Sequence, residues 1–586
     1  MDPTLQFTLA ALAAFLVGSL PIGFWVCRLK GIDVLEAGSR SMGATNVSRL
    51  AGKPLGLLVL LLDGLKGFLP LWAFTRLVGE IPAWQTYALA FIPALAHSYS
   101  FVVRIYKGRW KAGKGVASLA GGFLALSPAL FIPVLGVFFI AFFLSFGRVS
   151  VGAIAAAMSQ PFIALNRFPG NSALFSFCLL VAMLVLWTHR MNMRRILYGT
   201  EPSYFFDRVE RETPFFGFTP HPTEFEWEAV RARIAERRYS FLRRCPIPLV
   251  QLLTWVMPNA LTGCGEVCGI KLRNGPAIGG HYAGIPLCSL QLSSPHHIVR
   301  WLAVRRVVQA VWRAYQKGAD IVGLAAFASI VGNTGKGVDV VACLKWLGLD
   351  IPVTTGNTLT AIAGVEGGLN AYREAYGLDP ETVLVVGASG SVGRAAVFAL
   401  EQRLPGARII VTARDLLKLQ EVYAGHPNVE CRVMPTGEQP LPGRLVFLAV
   451  SARELELNPE PGTIMVDMSR PRVASEKIGS RPDVLVLDGG MVRMPGNLMY
   501  DPKSYRTMNP DGCVMLGCNA ETALLAALIR QDPLLRRNWS VGDLCDSDLL
   551  HLCEAARKYG LTYSGYRYMD KLLPPERFMA FKRHCA

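Results

Sequence analysis

SALFSFCLLVAMLVLWTHRMNMRRILYGTEP, residues 172–202, changes solvent in its middle. Residues 172–188 carry no charge and read as a membrane span, while His189, Arg190, Arg194 and Arg195 follow at once, as in a chain leaving the bilayer on its cytoplasmic side. Upstream of this stretch the same alternation of apolar runs and basic loops recurs. Downstream the composition becomes that of a soluble α/β protein.

A span needs about 20 mostly apolar residues. Runs at 5–27, 54–79 and 84–103, two short runs within 116–146 split near Pro128, then 150–166 and 172–188 predict about seven spans. The first run lacks a basic leader and a small-residue cleavage site, so a retained helix is expected rather than a signal peptide. The 586 residues carry a formal charge of +17. In the first third that charge sits in two loops, 28–53 and 104–115, whereas 79–84 has no Lys or Arg, which points to topology rather than to nucleic acid. The basic loops then face the cytoplasm, and an odd number of spans puts the rest of the chain there too, as expected for a multi-pass bacterial inner-membrane protein.

Thirteen cysteines are scattered without a disulfide framework. Cys264, Cys268, His281 and Cys288 lack the paired-knuckle spacing of structural zinc, so buried thiols are expected and no metal is assigned.

Ionisable residues in spans are rare enough to raise a functional question. Asp63 and Lys66, three apart in LLDGLKGFL, share a helix face, and His97 lies near the end of its own run. A self-neutralising packing pair and a site role both stay open for them. The cytoplasmic loops are more specific. GSRSMGATNVSR (38–49) and AGKGVAS (112–118) combine glycines, small polar residues and cations ahead of a helix, an arrangement that presents N–H groups and positive charge to an anion. With 188–202 they predict a phosphorylated substrate handled at the membrane surface.

Residues 1–202 resemble the integral-membrane glycerol-3-phosphate acyltransferase family that uses acyl phosphate, through GSLPIGFWVCRLKGIDVLEAGS, GATNVSRLAGK, LLDGLKG, AGKGVAS and HRMNMRRILYGTEP in order. The resemblance implies acyl transfer from acyl phosphate to glycerol 3-phosphate, giving lysophosphatidic acid. It places Ser39, Thr45, Asn46 and Arg49 in the first motif, Gly113, Lys114 and Gly115 in the second, and His189, Asn192 and Glu201 in the third. Lys114 and Arg49 would contact phosphate, and His189 and Asn192 would orient the acceptor. Where the family reads GSGN, this chain has GSRS, with Arg40 and Ser41 in place of a glycine and an asparagine.

Past Glu201, residues 203–244 read as a linker with an amphipathic helix at about 225–244, and 245–378 as a substrate-binding α/β region. ETVLVVGASGSVGRAAVFALEQ follows: an apolar strand, glycines at 387, 390 and 393, then an Ala-rich helix, predicting a Rossmann-like domain over 379–510. The next strand ends in Thr412 and Arg414 rather than an acidic residue, which favours NADPH over NADH, with Asp415 immediately after. Within the last region, 511–586, GCNAETALL sets Cys518 at the start of an apolar helix, where the dipole favours a thiolate, and Glu521 on the same face. A small buried hydrophobe is the alternative reading of Cys518.

GLAAFASIVGN, VTTGNTLTAI, VLVVGASGSVG, VTAR, VLDGG and GCNAETALL occur in the order of the cyanobacterial-type long-chain acyl-ACP reductases, over residues 245–565. That resemblance implies reduction of a fatty acyl thioester, carried by acyl-ACP or acyl-CoA, to the aldehyde through an acyl group on Cys518. Thr355, Gly356 and Asn357 would line the nicotinamide end, and Glu521 would orient the Cys518 helix or assist proton transfer. The expected protein is a bifunctional lipid enzyme whose partners are membrane lipids and acyl carrier protein. Two alternatives are a reductase on an inert membrane anchor and a transporter with a regulatory nucleotide-binding domain; the latter predicts internal repeats and paired half-helices, and neither is present.

Overall fold

The computed structural model describes residues 2–206, 208–221, 246, 264–285, 287–450, 455–469, 472–496, 499–500 and 513–585. The chain divides into two compact units, Met1–Asp207 and Arg208–Ala586, close to the boundary expected at 202. The expected amphipathic helix at 225–244 lies outside the described residues.

The first unit is helical. Three of its segments are long and apolar enough to cross a membrane: Pro3–Arg28, Lys53–Val78 and Val149–Arg167. Ser172–Thr188 and Arg190–Tyr198 make a fourth if the pair, bent by 63°, is one span. The other predicted spans are shorter than expected. The run 84–103 divides into Ala83–Ser98 and Phe101–Lys107, and 116–146 into Val116–Leu126 and Pro128–Leu144. Pro128 begins a new helix at its first turn, where a missing N–H costs no hydrogen bond, while Pro133 lies further inside the same helix.

Glycines let these helices approach at backbone distance, the usual means of packing where lipid removes the hydrophobic drive. A Cβ on Gly121 would lie 1.9 Å from the Gly64 carbonyl oxygen, and one on Gly67 1.8 Å from that of Ser118.

The second unit holds two six-stranded sheets. The first contains β1 (Phe215–Thr219), β2 (Cys264–Lys271), β3 (Ala277–Ala283), β4 (Ile321–Leu324) and β5 (Val353–Thr354), with Met499–Tyr500 at its far edge beside β2. β1 lies between β3 and β4, parallel to both, so a stretch read from sequence as linker is an interior strand. All five of its residues are buried. Its apolar run FFGFT is short and pairs with partners distant in sequence.

The second sheet contains β6 (Thr382–Val386), β7 (Arg408–Ala413), β8 (Val429–Val433), β9 (Leu445–Leu448), β10 (Thr463–Asp467) and β11 (Val484–Asp488). It is parallel throughout, in the order β11-β10-β9-β6-β7-β8. Apart from the half-exposed edge strand β8 (VECRV), its strands are mainly β-branched and aliphatic runs, as burial on both faces requires.

The helix Asn357–Tyr376 joins the two sheets. Gly364 packs against Met468, Gly367 against Tyr563 and Gly368 against Phe447, so the missing side chains bring it close to β9 and β10. The helix Gly517–Gln531, although late in sequence, returns to the first sheet, where Thr522 lies against Gly323 of β4.

Close helix approach makes a direct prediction. Gly121→Ala should destabilise the protein by about 1–3 kcal/mol, read as a lower unfolding temperature in detergent. Gly136→Ala, with open space around it, should be neutral or slightly stabilising.

Candidate active sites

In the first unit, the loop 38–49 is organised by one buried side chain. The Asn46 amide nitrogen donates to the carbonyl oxygens of Ser41 (2.9 Å), Val34 and Ala37 (both 3.1 Å), and its oxygen accepts from the Ser39 N–H at 2.9 Å. Asn46, expected to bind substrate, is therefore committed to shaping the loop that presents Ser39. Ser39 and Arg49 are exposed and Thr45 is half-buried. Arg40 holds φ at +51°, a conformation in which glycine is favoured and other residues cost about 1 kcal/mol.

The loops that the sequence marks as anion-binding come together. The Met42 N–H donates to the Ala112 carbonyl at 2.9 Å, and Lys107 pairs with Asp33 at 2.5 Å, coupling the first loop to the second. Arg49 donates to the Pro202 carbonyl at 3.4 Å, coupling the first to the third. The Thr188 hydroxyl donates to the Lys114 carbonyl at 3.4 Å, coupling the third to the second. Gly113 and Gly115 leave no room for side chains, and Gly115, at φ +75°, caps the helix Val116–Leu126.

Glu201, which the sequence matched only as part of a motif, is the centre of this assembly. Its carboxylate accepts from the Ser150 hydroxyl and the Asn192 amide (both 2.7 Å) and from Arg195 Nε (2.8 Å). Burial would raise its pKa, but Arg195 and these donors hold it below the usual carboxylate range. The Asn192 carbonyl oxygen is buried without a partner. Burial pulls the Lys114 ammonium down to about 8; Glu201 opposes the shift, and Arg195, Arg49 and Lys111 add to it. Three cations and one carboxylate acting on Lys114 leave an excess of positive charge that an anion would relieve. His189 Nδ1 lies 2.9 Å from the Val185 carbonyl, which fixes the ring proton there and leaves the Nε2 lone pair as an acceptor. Burial and then Lys114 hold this imidazole down to about 3, so it is neutral.

In the second unit, the three turn glycines differ in what surrounds them. Gly387 has φ +88°, and a Cβ there would meet the Ala449 oxygen at 2.4 Å; one on Gly393 would meet the Gly387 oxygen at 2.5 Å. A Cβ on Gly390 would meet nothing closer than 3.4 Å. The first glycine thus makes the turn, the third lets helix and strand pack, and the second keeps the helix N-terminus open, the division of roles a pyrophosphate cradle requires. Thr412, expected at the cofactor's 2′-phosphate, is buried with its hydroxyl toward Met434 Sδ (3.9 Å). Arg414 is exposed at the strand end, and Asp415 caps the helix Leu416–Val422 through the Lys418 N–H at 3.1 Å.

Cys518 is the half-buried second residue of the helix Gly517–Gln531. A Cβ on Gly356, whose φ is +69°, would lie 2.2 Å from Cys518 Cα. Next along, the Asn357 amide donates to Ser391 Oγ at 2.5 Å, and Ser391 opens the helix that follows the glycine turn. The segment 354–357 thus spans from Cys518 to the glycine turn. Thr355 donates to the Ser540 carbonyl at 2.6 Å and faces the interior.

Glu521 is 0% exposed. It accepts from the Thr354 hydroxyl (2.7 Å), the Ser540 hydroxyl (2.9 Å) and the Leu359 N–H (3.0 Å). Burial raises its pKa against the pull of these donors. These bonds tie the Cys518 helix to the 354–357 segment, as expected of a residue that orients that helix. Ser540, which nothing in the sequence marked, completes this network from a backbone at φ +54°. Among the described residues no three His, Cys, Asp or Glu side chains are grouped to hold a metal ion.

A helical membrane unit in which cationic, glycine-bearing loops converge defines the first site as that of an integral-membrane enzyme of anionic substrates. The sequence profile described as "Glycerol-3-phosphate acyltransferase" matches residues 8–199, and through them the chain belongs to that family. The "Glycerol-3-phosphate acyltransferase" of Fusobacterium nucleatum is 34% identical over 194 residues, covering 33% of this chain and 95% of that protein. That of Syntrophotalea carbinolica is 38% identical over 201 residues, with coverage of 33% and 96%. Among solved structures, that of "PlsY (YgiH), an integral membrane glycerol 3-phosphate acyltransferase" in its glycerol 3-phosphate form is similar at 32% identity, covering 34% of this chain and 94% of that chain, with a TM-score of 0.31.

The Lys114 environment has a measurable consequence. Anion binding needs the ammonium, so inorganic phosphate affinity should be full below about pH 8 and fall roughly tenfold per pH unit just above it. Lys114→Arg should flatten that profile in calorimetry; a wild-type profile already flat from pH 8 to 10 would contradict the assignment.

Proposed function

We propose that this chain carries two acyl-group chemistries: acyl transfer from acyl phosphate to glycerol 3-phosphate in the first unit, and NADPH-dependent reduction of a fatty acyl thioester to aldehyde in the second. The observation that carries the first is the convergence of Arg49, Arg195 and Lys111 about Lys114, all four within the region of family similarity. Acyl phosphate is already activated, so positioning and charge stabilisation suffice. Lys114 and Arg49 hold phosphate, and the His189 Nε2 lone pair accepts a hydrogen bond from the attacking hydroxyl. The new ester C–O bond forms as the acyl–phosphate bond breaks, the departing phosphate takes the electron pair, and the hydroxyl proton passes through His189 Nε2 to that phosphate. The basic loops support a multi-pass inner-membrane topology of about seven spans, with both reactions on the cytoplasmic side.

For the second reaction, the glycine turn fits a dinucleotide, and the strand order of the second sheet is the 3-2-1-4-5-6 order of Rossmann folds read from β8 to β11. Asp415 is occupied as a helix cap and Arg414 is exposed, which favours the 2′-phosphate of NADPH. Bound there, NADPH supplies hydride. Cys518, as thiolate at a helix N-terminus, attacks the thioester carbonyl, the carrier thiol of acyl-ACP or acyl-CoA leaves, and the acyl group stays on sulfur. The first-turn N–H groups of that helix stabilise the oxyanion, and the Cys518 thiolate departs when aldehyde forms.

An inert membrane anchor beneath an active reductase is the competing reading, favoured by Arg40 in a left-handed backbone position. One pair of variants separates the two. Lys114→Ala should lower acyl-phosphate-dependent transfer at least about 100-fold while thioester-dependent NADPH oxidation is kept, and Cys518→Ala should do the reverse. Absence of transfer in the intact wild type would remove the first activity; absence of NADPH oxidation would remove the second.

A further inference from the structure

Three ionisable side chains in the first unit are almost wholly buried and take no part in the reaction derived above. Asp63 is 1% exposed, Lys66 4% and His97 3%. Lys66 Nζ lies 2.7 Å from Asp63 Oδ1, donates to the Leu20 carbonyl at 2.8 Å and stands 3.3 Å from His97 Nδ1. The same nitrogen lies 3.6 Å from Asp63 Oδ1, so one edge of the ring faces both members of the pair. The other edge of that ring meets the anion loop: a Cβ on Gly113 would fall 2.1 Å from His97 Nε2. The other side of the loop is held in the same way. Gly115 lies against the Ala94 oxygen, and the Ser118 hydroxyl donates to the Asp63 carbonyl at 2.9 Å.

Burying two full charges costs several kcal/mol per ion, and an apolar pair packs a helix bundle without that cost. A role in packing therefore explains little. The geometry explains more, because the three side chains form an unbroken line from the Leu20 carbonyl, through Lys66 and His97, to the Cα of Gly113. His97 has no alternative place while Lys66 holds Nδ1, and Gly113 has none while His97 fills the space in front of it.

We propose that Asp63, Lys66 and His97 form a brace that sets the height of the Gly113–Lys114–Gly115 turn, and with it the position of the Lys114 ammonium over the substrate phosphate. They are positioning residues that act through Lys114, and the proposal rests on the acyl-transfer reading of this unit. Asp63→Asn would strand a buried ammonium and threatens folding, so the test uses the contact between His97 and Gly113.

In the full-length protein, His97→Ala should lower kcat for acyl transfer about 10- to 100-fold with a much smaller change in KM, the expected cost of a misplaced contact. Gly113→Ala should do the same. The double variant His97→Ala/Gly113→Ala should be no worse than His97→Ala alone, because the added methyl occupies the space the ring vacates. In a Lys114→Ala background, His97→Ala should cost nothing further. Equal losses with and without Lys114, or additive losses in the double variant, would overturn the brace.

A second readout does not depend on turnover. The rate at which an amine-reactive ester modifies Lys114, followed by peptide mass spectrometry, should change by more than about threefold in His97→Ala and return toward wild type in the double variant. An unchanged rate overturns the brace even in a protein without activity, whereas an inactive wild type with the expected labelling pattern overturns only the acyl-transfer reading.

Discussion

A carboxylate taken out of water must be met by donors, and each unit of this chain builds its site around one that is. In the first unit Glu201 gathers Ser150, Asn192 and Arg195, and so fixes the end of the last apolar helix beside Lys114 and His189. In the second, Glu521 gathers Thr354, Ser540 and the Leu359 N–H, and so fixes the start of the Cys518 helix against Gly356. Neither carboxylate needs to touch a reacting atom to matter. Each decides where a reactive side chain on a neighbouring segment can stand.

The two sites then differ as their chemistries require. The first is rich in cations and poor in nucleophiles, which suits a reaction whose donor is already activated and whose difficulty is holding negatively charged groups together. The second has a thiol at a helix N-terminus, with the 354–357 segment reaching from it to an open glycine turn. Cys518 and the open glycine turn thus stand at the two ends of one short segment.

How much of this the sequence carried depended on how local the determining physics was. Apolar runs, the break at Pro128 and the spacing of Gly387, Gly390 and Gly393 are local; the turn and the break lie where they were expected, while several apolar runs form shorter or divided helices. The helix N-terminus at Cys518 was equally legible. The strand Phe215–Thr219 was not, because five apolar residues become an interior strand only by pairing with β3 and β4, whose sequences lie far along the chain. Side-chain duties were the least legible. Asn46 and Thr412 are of the right type and in the right place for ligands, yet the first is saturated by its own loop and the second faces Met434. Glu521 was placed on the face of Cys518, but its partners Thr354 and Ser540 come from other segments that no local pattern marks.

The claim that joins these observations is that a chain whose first unit handles acyl phosphate also takes an acyl group covalently onto its second. It is tested most directly by peptide mass spectrometry of the full-length protein after incubation with a long-chain acyl thioester in the absence of NADPH. The account predicts an acyl adduct on Cys518 that accumulates without NADPH and is lost when NADPH is added. No adduct, or one on another cysteine that NADPH leaves in place, would contradict it.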